Sequence, residues 1–475
     1  MQEMNSQFIA MDGQTVEYIN KVSEMMTERM QGDCPMAYIH TYGCQGNVAD
    51  GERISGLLEA MGFGFTDDVD KADFIIYNTC AIREHAEDRV FGNVGALKHV
   101  KRRNPNVIIA VCGCMVQQEH VAKRFRESYP YVSLLFGTHV IHRLPELLYR
   151  VVSGEGRVFE LSQEDCTIHE DVPVRRDGHI RAWLPVMYGC NNFCTYCIVP
   201  YVRGRERSRD MADVEREFAD IIAKGYRDVT LLGQNVNSYG RQGGGESRFP
   251  ELLRRLDAVE GDYWLRFMTS HPKDCSIELL DAMSEGKHIA RHLHLPFQSG
   301  SSEILERMNR RYTRERYLEL IAAARERMPD ISITSDVIVG FPGETREQFE
   351  QTLELIREVK FTSLFTFIFS PRKGTPAASM ADGVTAKEKS ERMGELLRLQ
   401  ERIAAERCAQ MVGKTERVLV EERMENGLLS CRTGGNIVVA ASAQDGAEQY
   451  VGRFASVRIT SARNWTLGGE IISID

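Results

Sequence analysis

The chain reads as an α/β protein in three parts: an open parallel α/β sheet, a partial (β/α)6 barrel and a small antiparallel β-barrel. Three observations predict this. Between residues 35 and 153, short apolar runs alternate with segments of helical periodicity. Between 176 and 407 the same alternation resumes over six further runs. From 410 to 475 the helical period is gone, and short strand-like runs are broken by Gly and Asn. Alternating strand and helix signals mean parallel strands with helices on their faces, whereas closely spaced strands with turn residues mean a small barrel.

Taken in order, residues 1–34 are a polar, Met-rich extension with no assigned structure. The first sheet is predicted from runs at Ala37–His40, Phe74–Tyr77, Val107–Val111 and Val132–Phe136, with helices over residues 50–61 and 84–103 between them. The barrel strands are predicted at Trp183–Met187, Val229–Leu232, Trp264–Met268, His292–Leu295, Ile331–Val339 and Leu364–Phe369. Helical segments such as Met211–Lys224, Phe249–Val259 and Arg314–Arg327 separate them, and a long helix over Ala386–Met411 leads out. The last strands are predicted at Val418–Val420, Leu428–Arg432, Ile437–Val439, Phe454–Ile459 and Glu470–Ile474.

Bulk properties narrow the class. No stretch reaches the 18 or so apolar residues of a membrane span, and the N-terminal residues lack the basic start and apolar block of a secretory signal. A cytoplasmic protein is expected. Twelve cysteines in a reducing compartment argue for metal ligands over disulfides. The net charge of −9 is unlike that of a nucleic-acid binder, although Arg203-Gly204-Arg205-Glu206-Arg207-Ser208-Arg209 is a local basic patch.

The strongest chemical signal is Cys190-x3-Cys194-x2-Cys197, three cysteines within eight residues directly after a strand. Three such thiolates each take one iron of a 4Fe–4S cube and leave the fourth iron open to a ligand that is not protein. A four-cysteine zinc site needs two Cys-x2-Cys pairs, and only Cys194/Cys197 is one. A second set follows from topology. Cys44, Cys80 and Cys114 each end a predicted strand of the first sheet, at spacings of 36 and 34 residues, about one strand–helix unit each. In an open parallel sheet all such ends share one edge, so three distant thiols are delivered to one rim. Spacing does not choose between Cys114 and Cys112. Cys34, Cys166, Cys275, Cys408 and Cys431 have no partner in this scheme.

Further candidates line the barrel. Ser335 to Thr345 contains Gly340-Phe341-Pro342-Gly343-Glu344, where glycines let backbone approach a ligand and Glu344 stands near a helix start. Gly233 and Gln234 end the second barrel strand, and Tyr196 lies between two cysteines of the loop.

These segments resemble one family, the radical S-adenosylmethionine (SAM) methylthiotransferases. The resemblance runs over nearly the whole chain. It rests on Thr41-Tyr42-Gly43-Cys44-Gln45, Asn78 to Glu84, Gly113-Cys114-Met115, Tyr188 to Arg205, Leu231 to Tyr239, Leu295 to Ser301 and Ser370 to Pro376. It implies an N-terminal methylthiotransferase domain, a radical SAM core and a terminal RNA-binding TRAM barrel. It selects Cys114 over Cys112. It also implies two 4Fe–4S clusters, one on Cys190, Cys194 and Cys197 that binds and cleaves SAM, the other an auxiliary cluster on Cys44, Cys80 and Cys114 that carries sulfur. Tyr196, Gly233, Gln234, Gly340 and Glu344 are the implied SAM-side residues. Within the family the text is most similar to the branch that methylthiolates C2 of N6-isopentenyladenosine at position 37 of tRNA, with two SAM consumed. Sister branches act on N6-threonylcarbamoyladenosine or on an aspartate of a ribosomal protein. No general acid or base is implied. The expected partners are a tRNA anticodon stem-loop, bound as unstacked bases with phosphates on Arg203–Arg209 and on Arg453, Arg458 and Arg463, and a reducing electron-donor protein. A monomer is expected.

Overall fold

The computed structural model describes residues 11–81, 84–162, 167–176, 178–241, 245–443 and 447–475. Cys166 and the Ile82-Arg83 pair after Cys80 lie outside the described residues. The chain divides into two units. One comprises Met1–Asp177, Tyr188–Asn191 and Ile198–Arg207, the other Gly178–Met187, Asn192–Cys197 and Ser208–Asp475.

The first unit is built on a six-stranded sheet: β1 (Met36–Thr41), β2 (Gly64–Phe65), β3 (Phe74–Thr79), β4 (Ile108–Gly113), β5 (Leu134–Phe136) and β6 (Val158–Glu160). The order is β2-β1-β3-β4-β5-β6, and all pairings are parallel. β3 and β4 are buried throughout, as central strands covered on both faces must be. Their side chains alternate between two cores. Phe74, Ile76, Ile108, Ala110 and Cys112 pack under α1 (Gly13–Arg29), α2 (Gln45–Ala60) and α5 (Leu144–Val152). Ile75, Tyr77, Ile109 and Val111 pack under α3 (Glu84–Arg103) and α4 (Glu119–Ser128). The edge strands β2 and β6, of two and three residues, were too short to show as runs. α1 was not predicted. Only Ile19, Val22 and Met26 of it are buried, a narrow stripe at helical spacing on an otherwise polar segment.

In the second unit, six parallel strands appear in the predicted order: β7 (Arg181–Pro185), β8 (Asp228–Leu232), β9 (Trp264–Phe267), β10 (His292–His294), β11 (Ser332–Val339) and β12 (Ser363–Ile368). They form two three-stranded sheets, β9-β8-β7 and β10-β11-β12, joined by a single parallel bridge from Leu265 to Ile289. Helices α6 (Met211–Ala223), α7 (Phe249–Asp257), α8 (Ile277–Glu285), α9 (Arg314–Arg327) and α10 (Arg346–Val359) cover the strands. Phe218, Phe249, Leu265, Leu293, Val337 and Phe349 lie in their shared core. The result is an incomplete barrel whose loops at the carboxyl ends of the strands are free to build a site.

After α11 (Ala386–Ala409) the chain forms a closed five-stranded barrel from β13 (Thr415–Arg423), β14 (Leu429–Thr433), β15 (Val438–Ser442), β16 (Phe454–Ala462) and β17 (Thr466–Ile474). Four pairings are antiparallel, and closure comes from one parallel pairing, β15 with β17. This small barrel is held against β9. Trp264 meets Phe454 edge-on at 4.9 Å, and Arg266 donates to the carbonyls of Thr433 and Gly434.

Candidate functional site

In the first unit the carboxyl ends of β1, β3 and β4 each deliver one cysteine. Cys44 caps α2 just beyond β1, Cys80 follows β3, and Cys114 follows β4. Two glycines allow the close approach. Gly43 has φ +112°, and a Cβ there would stand 2.3 Å from Cys80 Cβ and 2.7 Å from its Sγ. Gly113 has φ +99°, and a Cβ there would meet the Thr79 carbonyl at 2.3 Å. Asn47 joins the set, with Oδ1 at 3.8 Å from Cys44 Sγ and 3.7 Å from Cys114 Sγ. Its amide donates to the carbonyls of Tyr42 and Thr79, which fixes it in place. Cys112, two residues earlier on β4, is fully buried in the apolar core with Phe136 and Leu148. The structure thus brings Cys44, Cys80 and Cys114 to one rim and points Cys112 away from it.

Arg203 completes this rim. Its Nε donates to Cys114 Sγ at 3.0 Å, and its Nη2 donates to Asn47 Oδ1 at 3.0 Å and to Asp50 at 2.6 Å. A hydrogen bond from Cys80 and the charge of Arg203 pull the Cys44 thiol down to about 5, while burial pushes Cys114 up to about 11. The expected phosphate role of this stretch is corrected here for two residues. Arg203 and Arg209 are only 6% and 4% exposed. Arg209 is held by Glu217 and the Pro185 carbonyl, and Arg203 by Asp50, so neither faces solvent. Arg205 is exposed.

The Cys-x3-Cys-x2-Cys loop is fixed by backbone bonds. Cys190, in the first unit, donates its amide to the Gly204 carbonyl at 3.1 Å. In the second unit the Thr195 amide donates to the Met308 carbonyl, the Thr195 carbonyl accepts from Ala377, and Asn309 donates to the carbonyls of Asn192 and Phe193. Cys194 is buried, and its Sγ accepts from Arg310 at 3.5 Å. Arg310 also donates to the Tyr196 hydroxyl and, at 2.7 Å, to the Pro296 carbonyl. Cys197 is half-buried.

Polar groups gather at the carboxyl ends of β8 and β9. Asn237 is 1% exposed, yet neither its Oδ1 nor its Nδ2 has a protein partner. The same holds for Ser270 Oγ and His271 Nε2. His271 Nδ1 accepts the Lys273 amide, which assigns the ring proton to Nε2 as a donor, and burial keeps the imidazole neutral. Buried polar atoms without protein partners are open to hydrogen bonds with a ligand or with water. Gly233 sits where a Cβ would strike Met187 at 2.6 Å, and Gln234 is half-buried beside it. Gly340 is pressed against Lys389, where a Cβ would approach to 2.4 Å. Glu344 accepts from the Gly340 amide and from Arg392, so its carboxylate closes the turn of its own loop.

Comparison with known proteins follows this geometry. The Radical SAM superfamily matches residues 184–356, an uncharacterized protein family, UPF0004, matches 36–137, and the TRAM domain matches 409–472. A tRNA-2-methylthio-N(6)-dimethylallyladenosine synthase of Thermoanaerobacter sp. (strain X514) is 46% identical over 96% of this chain and 96% of its own. One of Carboxydothermus hydrogenoformans is 48% identical over 92% of this chain and 99% of its own. The chain belongs to this family of synthases. Among solved structures, the radical SAM methyltransferase TsrM of Kitasatospora setae superimposes with a TM-score of 0.54 at 15% identity, over 73% of this chain and 74% of that one, a likeness of fold. For a member of this family, sequence reasoning missed Asn47, Arg203, Arg310 and His271. Arg203 read as part of a local basic patch, and Arg310 carried no signal at all. Each shows its role only through partners more than 35 residues away or in another element.

Proposed function

We propose that this enzyme is a tRNA methylthiotransferase that places a methylthio group on C2 of N6-dimethylallyladenosine at position 37, next to the anticodon. Cys190, Cys194 and Cys197 hold a 4Fe–4S cluster that binds SAM, and Cys44, Cys80 and Cys114 hold an auxiliary 4Fe–4S cluster. The observation that carries this reading is the meeting of Cys44, Cys80 and Cys114 on one rim of a parallel sheet in a chain that also carries Cys-x3-Cys-x2-Cys. The donor chemistry fits. Among the described residues no group of His, Cys, Asp or Glu is arranged around a single metal ion. Three thiolates on a cube need no such common centre, since each binds its own iron. When bound, the clusters and SAM supply the electron, the radical and the sulfur.

The chain's own residues position these groups and the base. Tyr196, Gly233 and Gln234 face SAM, and Gly340 and Glu344 shape the loop beside it. Arg310 orients Cys194 and Tyr196 through the bonds described above. Asn237, Ser270 and His271 offer donors and acceptors to ligands at the strand ends. No side chain is assigned as general acid or base, because an aromatic C–H offers no acidic proton. The exposed Arg205, Arg453, Arg458 and Arg463 contact tRNA phosphates. The domains run 1–34, 35–153, 176–407 and 410–475. No described helix is long and apolar enough to cross a membrane, and the enzyme works in the cytoplasm as a monomer with a reducing electron-donor protein.

The test is anaerobic reaction of the reconstituted enzyme with SAM, a reductant and tRNA carrying N6-dimethylallyladenosine. Nucleoside mass spectrometry is expected to show gain of one CH2S unit on that nucleoside. Unchanged nucleoside in the presence of SAM cleavage would exclude this substrate.

A further inference from the structure

We infer that Arg203 is a positioning residue of the auxiliary sulfur site, which holds the Cys114 sulfur and offsets the negative charge gathered there. The inference rests on the auxiliary-cluster reading above. Its guanidinium is almost wholly buried, and its donors reach three different acceptors: Cys114 Sγ, Asn47 Oδ1 and the Asp50 carboxylate. Fold stability does not explain such a group, because a buried ion pair is commonly no more stable than an apolar pair of the same volume. What the pair does here is directional. Asp50 anchors one end of the fork, and the Nε–H is left aimed at sulfur. Lysine, a point charge on a flexible stem, cannot reach three acceptors from one plane. Asn47, the second acceptor, is the residue whose Oδ1 lies between Cys44 and Cys114, so the guanidinium orders the neighbour of both sulfurs.

A cluster held by three buried thiolates carries net negative charge, and that charge grows on reduction. Donors to its sulfurs and a nearby cation stabilise the reduced form more than the oxidised form, which raises the reduction potential. The adjacent Gly204 carbonyl accepts the Cys190 amide.

The experiment uses the full chain with Cys190→Ala, Cys194→Ala and Cys197→Ala, which leaves only the auxiliary site, compared with the same chain carrying Arg203→Gln or Arg203→Lys. After anaerobic reconstitution, a redox titration followed by electron paramagnetic resonance gives the midpoint, and iron release to a chelator gives the lability. Arg203→Gln is expected to lower the midpoint and to speed iron release about tenfold, the scale of one hydrogen bond to a charged group. Arg203→Lys falls between it and the parent. Parent-like midpoint and release in Arg203→Gln would overturn the inference. If Arg203→Gln fails to fold by circular dichroism, a folded Arg203→Lys with both parent values overturns it instead. A parent that binds no cluster overturns the auxiliary-cluster reading together with this one, whereas a loaded parent with unaffected variants sinks only the role of Arg203.

Discussion

The two sulfur sites are built in opposite ways. The Cys190, Cys194 and Cys197 loop is local: eight residues carry all three thiols, at a spacing that fits three irons of a 4Fe–4S cube. The auxiliary rim is assembled, with thiols brought from three strand ends and closed by Asn47 and by Arg203, a residue 89 positions beyond Cys114. A local site tolerates changes in the surrounding fold and fails when its own ligands go. An assembled site fails whenever the packing of its elements is disturbed, even where no ligand is touched.

The comparison breaks most visibly when the local ligands are removed. Replacing Cys190, Cys194 and Cys197 together with Ala is expected to abolish SAM cleavage and to halve the iron from about eight to about four per chain, with the melting temperature of the apoprotein unchanged. Four iron falling to none would remove the auxiliary cluster. The assembled rim is tested without touching a ligand. Gly43→Ala puts a Cβ at 2.3 Å from Cys80 in a left-handed backbone position, and is expected to destabilise by about 3 kcal/mol and to remove the auxiliary iron. Gly46→Ala, where the nearest atom is 3.7 Å away, leaves both iron content and unfolding midpoint in place. Retained auxiliary iron in Gly43→Ala would show that the rim is less tightly assembled than its geometry implies.

Cys112 on β4 and Cys114 just beyond it differ in the same way. Cys114→Ala is expected to lose about four iron, and Cys112→Ala none, its effect being about 1 kcal/mol of lost core packing in a denaturant titration. Arg310→Met removes the donor to Cys194 and Tyr196 and is expected to slow SAM cleavage about tenfold with cluster content retained. The smallest effect is on the tRNA side. Arg458→Ala and Arg463→Ala each weaken tRNA binding modestly and reduce the salt slope of the affinity by about 1, as loss of one phosphate contact does. An unchanged slope would place the phosphate contacts elsewhere.

Both kinds of site leave different traces in sequence. Four of the six strands of the first sheet, the six of the barrel and the five of the small barrel stand at or within a few residues of their predicted positions, because apolar periodicity is a local property, whereas the short edge strands β2 and β6 did not show. α1 did not show, since three buried residues on a polar helix give a weak signal. Two residues of the basic run, Arg203 and Arg209, were misread for a physical reason: composition counts charges but does not say which are paired. Arg203 and Arg209 proved to be buried ion-pair partners. Glu344 stands just before the helix that starts at Arg346, and its carboxylate accepts from the Gly340 amide and from Arg392, partners that no local pattern announces.

By itself the sequence determined the three-part architecture, the Cys-x3-Cys-x2-Cys spacing and the topological position of three further cysteines. These follow from spacing and periodicity, which the chain carries along its length. Only the tertiary structure decided that Cys112 faces the core while Cys114 faces the rim. Cys112 and Cys114 are two apart and would share a face on one strand, but β4 ends at Gly113, whose φ of +99° turns the chain and carries Cys114 off the face that Cys112 keeps. The tertiary structure alone also brought Asn47 and Arg203 beside Cys114 and Arg310 beside Cys194. Their roles are made of distances to residues far away in the chain, and no local pattern encodes a distance.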